Sequence, residues 1–382
     1  VKKELGLGLY SLAGVYGRKD PEEIKRMLIY AVENGIEYFD VADQYGPAEE
    51  VLGSTLQAYR SRIRIATKVG VTKEGFDLSY NHIQKACRQS LKKLQTDYID
   101  LYQIHFDDHT IPVAETVGAL EDLQKEGLIL EYGLGHLPLQ RVKDYAKEGN
   151  PASLLLELSP VALQKYREYL PVCQEYKLPV ITMGTTGRGI LTGKIPPDHG
   201  FEPGDIRNLD PLFQRSLYQS ALRVYTKLKE LAEQLNKSPV QLTLAWVLGL
   251  AHVRTALVGP SRVAHLQENL GGTGWEIPGE TGSEMETFLA REEEKKKEAR
   301  YNDIQEILQG PLSRDRKRAA ADLVYALEGL VDFGIATEPE VVPLFTRLMA
   351  CYRHKETDNT AGEIKDKLVD LFAQGTTRET RV

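Results

Sequence analysis

From the N-terminus to about residue 270, short apolar runs alternate with longer amphipathic ones. The runs LGLGLYSL, IEYFDVA, IRIATKVG, YIDLYQIH, LEYGLGH, SLLLELS, PVITMG and RTALVG read as strands. Between them, residues 21–34, 47–59, 79–94, 112–126, 137–148, 161–176, 217–249 and 262–270 carry helical spacing. The segment 217–249 is expected to divide at Asn236–Pro239, with Ser238-Pro239 opening its second helix. Helix ends are marked well: Asp20-Pro21 opens the first, and Asn34-Gly35 and Glu126-Gly127 close two others.

Eight strands alternating with helices make a parallel sheet with crossover helices, either an open doubly wound sheet or a closed barrel. Eight such units within about 270 residues favour the barrel, whose usual size is about 250. No GxGxxG follows the first strand, which leaves a Rossmann domain without support. The expected fold class is α/β: a (β/α)8 TIM barrel over residues 1–278, followed by a small all-α domain over 279–382.

The second part starts where the composition changes. TGSEMETFLAREEEKKKEARYNDIQEIL is charged and helical, and two amphipathic helices around IATEPE and a third, TAGEIKDKLVDLFAQ, follow it. REEEKKKEAR reads as a solvated helical face, because opposite charges pair at i,i+4 and the local net charge is near zero. Leu323, Leu327, Leu330 and Phe333 fall at helical spacing and read as the appendage's own core. An exposed junction near Gly279–Gly282 would make the appendage detachable, and the tail GTTRETRV is expected to fray. Its roles lie among an oligomerisation arm, a lid and a docking site for a partner protein.

Composition narrows the classes. With 42% hydrophobic and 27% charged residues the chain is ordinary for a globular protein, and a net charge of −7 argues against a nucleic-acid binder or an anionic membrane surface. No run of 18 apolar residues is present. VKKELGLGLYSLAG reads as a first strand rather than a secretory signal. Cys87, Cys173 and Cys351 match neither a disulfide framework nor a metal site, so a reducing, cytoplasmic setting is expected.

In such a barrel, side chains at the carboxyl ends of strands converge on one mouth. The second strand ends at Asp40, with Tyr45 in the loop beyond it; the third ends at Lys68 and the fourth at His105. A lysine finishing an apolar strand needs a partner, since burying it unpaired costs several kcal/mol. Asp40 is the obvious one. A cation beside a tyrosine favours phenolate, so the Tyr45 pKa is expected to fall. His105 can hydrogen-bond a substrate oxygen, and the set suits protonation of a developing alkoxide.

FDVADQYGPAEEVLGSTL, IATKVG, DLYQIHFDD, GILTGK after PVITMG, and GPSRVAHLQENLGG resemble the aldo-keto reductase superfamily, in order and spacing, over residues 4 to 278. The resemblance implies a barrel that uses NADPH, or NADH, without a Rossmann domain. It implies a tetrad of Asp40, Tyr45, Lys68 and His105, with Tyr45 as proton donor. Asp43 has no role in that pattern and is expected to be a loop or cap residue.

The resemblance also implies where the cofactor lies. Where the family has Ser-Asn at the fifth strand, Gln at the sixth and an aromatic at the seventh, this chain has Gly135-His136, Leu155 and Met183. His136 and Met183 are the candidates to hold the nicotinamide. Arg188 and Lys194 in GTTGRGILTGK are the expected pyrophosphate cations. Ser261, Arg262 and His265 suit an adenosine 2′-phosphate at a helix N-terminus, with Glu268 and Asn269 for the adenine. No metal site is expected. Tyr16, Phe106, Phe201 and Phe213 are candidates to line an apolar slot for a small carbonyl substrate.

Two other readings remain open at this stage. The barrel could serve as a nucleotide-sensing or protein-binding module, as in the beta subunits of voltage-gated potassium channels. The same pocket could run a redox-neutral elimination or isomerisation. The added helices and changed nicotinamide contacts favour the first; the complete tetrad favours the reductase.

Overall fold

The computed structural model of the chain describes residues 3–17, 19–73, 75–195, 200–354 and 359–379. Residues 18 and 196–199 of the expected mouth loops, the Cys351 side chain and tail residues 380–382 lie outside that description.

Eight strands follow one another in the first part of the chain: β1 (Glu4–Gly8), β2 (Tyr38–Asp40), β3 (Arg64–Val69), β4 (Ile99–Phe106), β5 (Ile129–His136), β6 (Leu154–Glu157), β7 (Val180–Met183) and β8 (Val253–Val258). Each pairs in parallel with its sequence neighbour, and β8 pairs with β1, so the sheet is a closed barrel. The crossovers carry α1 (Pro21–Glu33), α2 (Ala48–Leu56), α3 (Tyr80–Leu94), α4 (Val113–Lys125), α5 (Leu139–Glu148), α6 (Gln164–Glu175), α7 (Arg215–Gln234) and α8 (Pro239–Gly249), and α9 (Val263–Leu270) follows β8. Asp20 caps α1 through the Glu22 amide. Ser238 and Gln241 cap α8 reciprocally, at the division expected from Ser238-Pro239.

The first strand is shorter than its apolar run. After Gly8 the Leu9 amide still bonds the Asp40 carbonyl at 2.9 Å, and Tyr10–Ala13 then turn as a 3-10 segment that ends at Gly14, whose φ of 79° suits glycine. LYSL is apolar because it packs at the mouth, not because it extends.

Two compact units emerge. One comprises Val1–Lys194 with Leu228–Gly282; the other comprises Ile195–Lys227 with Ser283–Val382. Nothing in the strand pattern signals the excursion of Ile195–Lys227, which leaves the crossover between β7 and β8 and joins the C-terminal helices.

Those helices are α10 (Gly279–Gln309), α11 (Arg316–Asp332), α12 (Glu338–His354) and α13 (Thr360–Glu379). The expected junction at Gly279–Gly282 is the first turn of α10, with the Gly282 amide bonded to the Pro278 carbonyl at 2.9 Å. Leu323, Leu327 and Leu330 are buried among Ile304, Leu344 and Leu368, Phe333 packs against them, and Leu209 and Leu217 from the excursion complete the same core. Half of the residues of REEEKKKEAR are exposed; Glu292, 5% exposed, is gripped by Arg223, and Arg300, its side chain 11% exposed, pairs with Asp332. No described helix is long and apolar enough to cross a membrane.

Candidate active site

Alternation along the strands selects what faces the barrel axis. Tyr38, Ala66, Leu101, Leu155, Ile181 and Leu257 form one apolar layer inside, with Met183 packed against it. Two residues further along the same strands stand Asp40, Lys68, Gln103 and Glu157, and two beyond Gln103 stands His105. An apolar floor therefore carries a polar layer at the carboxyl ends, and the register Lys68↔Gln103 sets β3 and β4 level.

Lys68 is fully buried and Asp40 is 4% exposed. The Lys68 ammonium donates to Asp40 Oδ1 at 2.5 Å and to the Val41 carbonyl at 2.7 Å. Gln103 Nε2 donates to the other Asp40 oxygen at 3.2 Å. An ammonium has three hydrogens, so one remains for a further acceptor. Lys68 Nζ lies 5.0 Å from the centre of the Tyr45 ring. Tyr45 meets His105 edge-on at 5.7 Å and Tyr10 at 4.9 Å. The structure thus brings together all four residues of the expected tetrad.

The electrostatics correct one expectation. The Tyr45 hydroxyl is pushed well above the usual phenol range, first by burial and then by Asp40 and its neighbours Tyr10, Tyr16 and Asp43. The cation that was to lower it is bonded to Asp40, and at this range the pair presents little net charge. Tyr45 therefore holds its proton. Burial, then Lys68 and His136, drive His105 well below the imidazole range, so it is neutral, and its buried Nδ1 has no hydrogen-bond partner among the described residues. Burial pushes the Asp40 carboxyl up, while Lys68 and Gln103 pull it back.

The residues expected to hold the nicotinamide make contacts of their own. At Gly135 an added Cβ would stand 2.3 Å from the Ile104 carbonyl oxygen, so β4 and β5 approach too closely for the serine usual there. His136 stacks on Phe106 at 4.8 Å and Phe106 on Phe76 at 5.5 Å. Burial, followed by Lys165 and Lys68, pushes His136 down to about 4, so it too is neutral. Leu155 is part of the barrel floor and Met183 lies half-buried beside it. Arg188, at the αL backbone position φ 51°, grips Glu157 with contacts of 2.5 and 3.3 Å. Burial would raise the Glu157 carboxyl, but Arg188, Lys165 and His136 carry it below its ordinary value.

The phosphate candidates gather at the start of α9. Arg262 occupies its N-cap, and Ser261 and His265 flank it. Burial lowers His265, and the nearby positive charges of Lys194, Arg262 and Lys19 lower it further. Lys194 bonds Glu268 at 2.7 Å, and Asn269 is 7% exposed. The Val263 amide is taken by Glu23 of α1 at 3.2 Å. Of the slot candidates, Tyr16 packs edge-on against Tyr10 at 6.0 Å, while Phe201 and Phe213 pack on each other within the second unit.

Gln103, Glu157 and Lys19 were not singled out from the sequence. Gln103 and Glu157 were findable by stepping two residues from His105 and Leu155; Lys19 had no such signal.

A closed parallel barrel with a buried Lys–Asp pair, a phenol and an imidazole at its mouth defines a class of barrel oxidoreductases. A sequence model of the Aldo/keto reductase family matches residues 4–286, and the chain belongs to that family. It is 32% identical to aldo-keto reductase str7 of Strobilurus tenacellus over 280 residues, 70% of this chain and 83% of that protein. To aldo-keto reductase yakc (NADP(+)) of Schizosaccharomyces pombe it is 31% identical over 280 residues, 70% of this chain and 82% of that protein. Among solved structures, the glycerol dehydrogenase AKR11B4 from Gluconobacter oxydans superposes with a TM-score of 0.68 at 26% identity, over 75% of this chain and 91% of that one. The aldo-keto reductase AKR11C1 from Bacillus halodurans (holo form) gives 0.63 at 29%, over 74% and 91%.

Proposed function

We propose that the barrel catalyses NADPH-dependent reduction of an aldehyde or ketone, and the reverse oxidation of the alcohol, with Tyr45 as proton donor. The observation that carries this reading is the polar layer itself: Lys68 buried on Asp40, with Tyr45 and His105 packed against one another above the apolar floor.

The chain's residues fit the nucleotide. Arg262, Lys194 and Lys19 supply a basic cluster at the start of an α-helix, with His265 among them as a hydrogen-bonding group, which suits a phosphomonoester and favours NADPH over NADH. The name of the S. pombe relative includes NADP(+), which agrees. Neutral His136 offers one donor and one acceptor to a carboxamide. When bound, the cofactor supplies the hydride.

The protein's own part is proton and charge management. His105, neutral, orients the carbonyl oxygen. Tyr45 keeps its proton until a stronger base, the developing alkoxide, takes it. The remaining Lys68 hydrogen then steadies the phenolate, and Asp40 keeps the ammonium in place. The aromatic run Phe76, Phe106 and His136 favours carbonyls with a flat apolar body.

Calorimetric titration with NADPH and NADH tests the cofactor half. NADPH should bind more tightly, and Arg262→Ala should weaken NADPH by about tenfold while leaving NADH nearly unchanged, as loss of one charge-assisted contact predicts. Equal affinity for both nucleotides, unchanged in the variant, would reject the 2′-phosphate site.

A further inference from the structure

Two runs of rings lead away from Tyr45 and His105. From Tyr45 the run passes to Tyr10 and then to Tyr16, at interplanar angles of 59° and 89°, so it offers no common plane. From His105 the run passes to Phe106 at 4.9 Å and 31°, and from Phe106 to Phe76 at 5.5 Å and 20°. Aromatic faces in direct contact are about 3.5 Å apart, so these centroid separations set successive rings out of line, like steps rather than a column. The outer steps are open: Phe106 is half-buried, and Phe76, the last, is 39% exposed.

The chain fixes that last step firmly for so exposed a ring. Phe76 belongs to a small hairpin after β3, in which it forms an antiparallel bridge with Val71. The Thr72 amide donates to the Gly75 carbonyl at 2.8 Å, and the Asp77 amide to the Gly70 carbonyl at 2.9 Å. Gly70 lets the hairpin leave the strand closely, since a Cβ there would stand 2.7 Å from the side chain of fully buried Leu78. Gln44, next to Tyr45 in sequence, donates from Nε2 to the Val71 carbonyl at 3.0 Å. Asp108, two residues beyond Phe106, accepts the Leu78 amide at 3.3 Å. The hairpin is thus tied both to the loop that carries Tyr45 and to the loop that follows Phe106.

We infer that Phe76 is a specificity-determining residue: it carries the wall that begins at His105 one ring beyond Phe106, and so selects aldehydes and ketones with a flat aromatic body two fused rings long. A one-ring carbonyl with its oxygen at His105 is served by Phe106, and the second ring of a longer body reaches Phe76. This deepens the reductase reading and rests on it for its effect on rate.

The test is the ratio of kcat/KM for NADPH-dependent reduction of 2-naphthaldehyde to that of benzaldehyde. Phe76→Ala should lower the ratio about three- to tenfold, as loss of one aromatic contact predicts, and Phe76→Trp should keep it. Both rates come from one enzyme preparation, so a variant that is merely less stable moves them together. An unchanged ratio in Phe76→Ala would overturn the inference. So would a wild-type ratio in Phe76→Leu, since an apolar side chain without a flat face would then suffice. Calorimetric binding of the two aldehydes with NADP+ present, where no hydride is available, reads the same wall without turnover. There Phe76→Ala should weaken 2-naphthaldehyde more than benzaldehyde. A wild type that reduces neither aldehyde would defeat the reductase reading, and the binding comparison would then decide the role of Phe76 by itself. Should Phe76→Ala fail to fold, the Phe76→Leu ratio decides.

Discussion

Lys68 and Asp40 hold each other in a place where neither charge is tolerable alone. Removing one member of such a buried pair costs about 3–5 kcal/mol, whereas removing both with isosteric neutral groups is much milder. Lys68→Met should therefore destabilise the barrel in chemical denaturation more than the Asp40→Asn/Lys68→Met double variant does, while both abolish reduction. Equal destabilisation would mean that the ion pair is not the source. His136 makes a pH prediction. Its folded pKa of about 4 lies below the unfolded imidazole value, so the unfolded chain binds more protons between those values, and stability falls as pH drops through that window. Comparing His136→Phe with the wild type, the variant should gain thermal stability at about pH 5 relative to about pH 8; a pH-independent difference would show that His136 is not held neutral. At this scale the tetrad was legible because strand-end position and residue type coincide at Asp40, Lys68 and His105. The raised Tyr45 pKa was not legible, because it depends on burial and on Lys68 being committed to Asp40.

Elements position these residues through their ends. Eight strand runs could be read because parallel strands buried on both faces are apolar throughout. Their limits could not, since LYSL is as apolar in a 3-10 turn as in a strand. The close approach of β4 and β5 at Gly135 explains one departure from the family pattern in terms of backbone packing. Gly135→Ser should not restore a nicotinamide contact; it should lower stability by about 1–3 kcal/mol through overpacking, measured as a shift in denaturant midpoint. A neutral or stabilising effect would mean that the strands can part there. Ser238 offers a simpler check on α8: loss of its reciprocal cap in Ser238→Ala should cost about 1 kcal/mol.

At the scale of the whole molecule, the composition change near residue 279 announced the C-terminal helices, but not the loan of Ile195–Lys227 to their core. An insertion between two strands has no periodicity that reveals which core its leucines join. Leu209 and Leu217 pack with Leu323 and Leu327, so Leu327→Ala should destabilise that unit by about 2–5 kcal/mol, seen as an earlier transition in calorimetry. The family match stops at residue 286, so the function of these helices has to be sought in this chain.

The measurement that reaches the central claim most directly is a single turnover of NADPH-loaded enzyme with an aromatic aldehyde, wild type against Tyr45→Phe, followed by nicotinamide absorbance. The account predicts that the variant binds NADPH with unchanged affinity and loses about two to four orders of magnitude in the rate of consumption, the usual share of a positioned proton donor. A Tyr45→Phe enzyme that binds NADPH and reduces the aldehyde at the wild-type rate would contradict it.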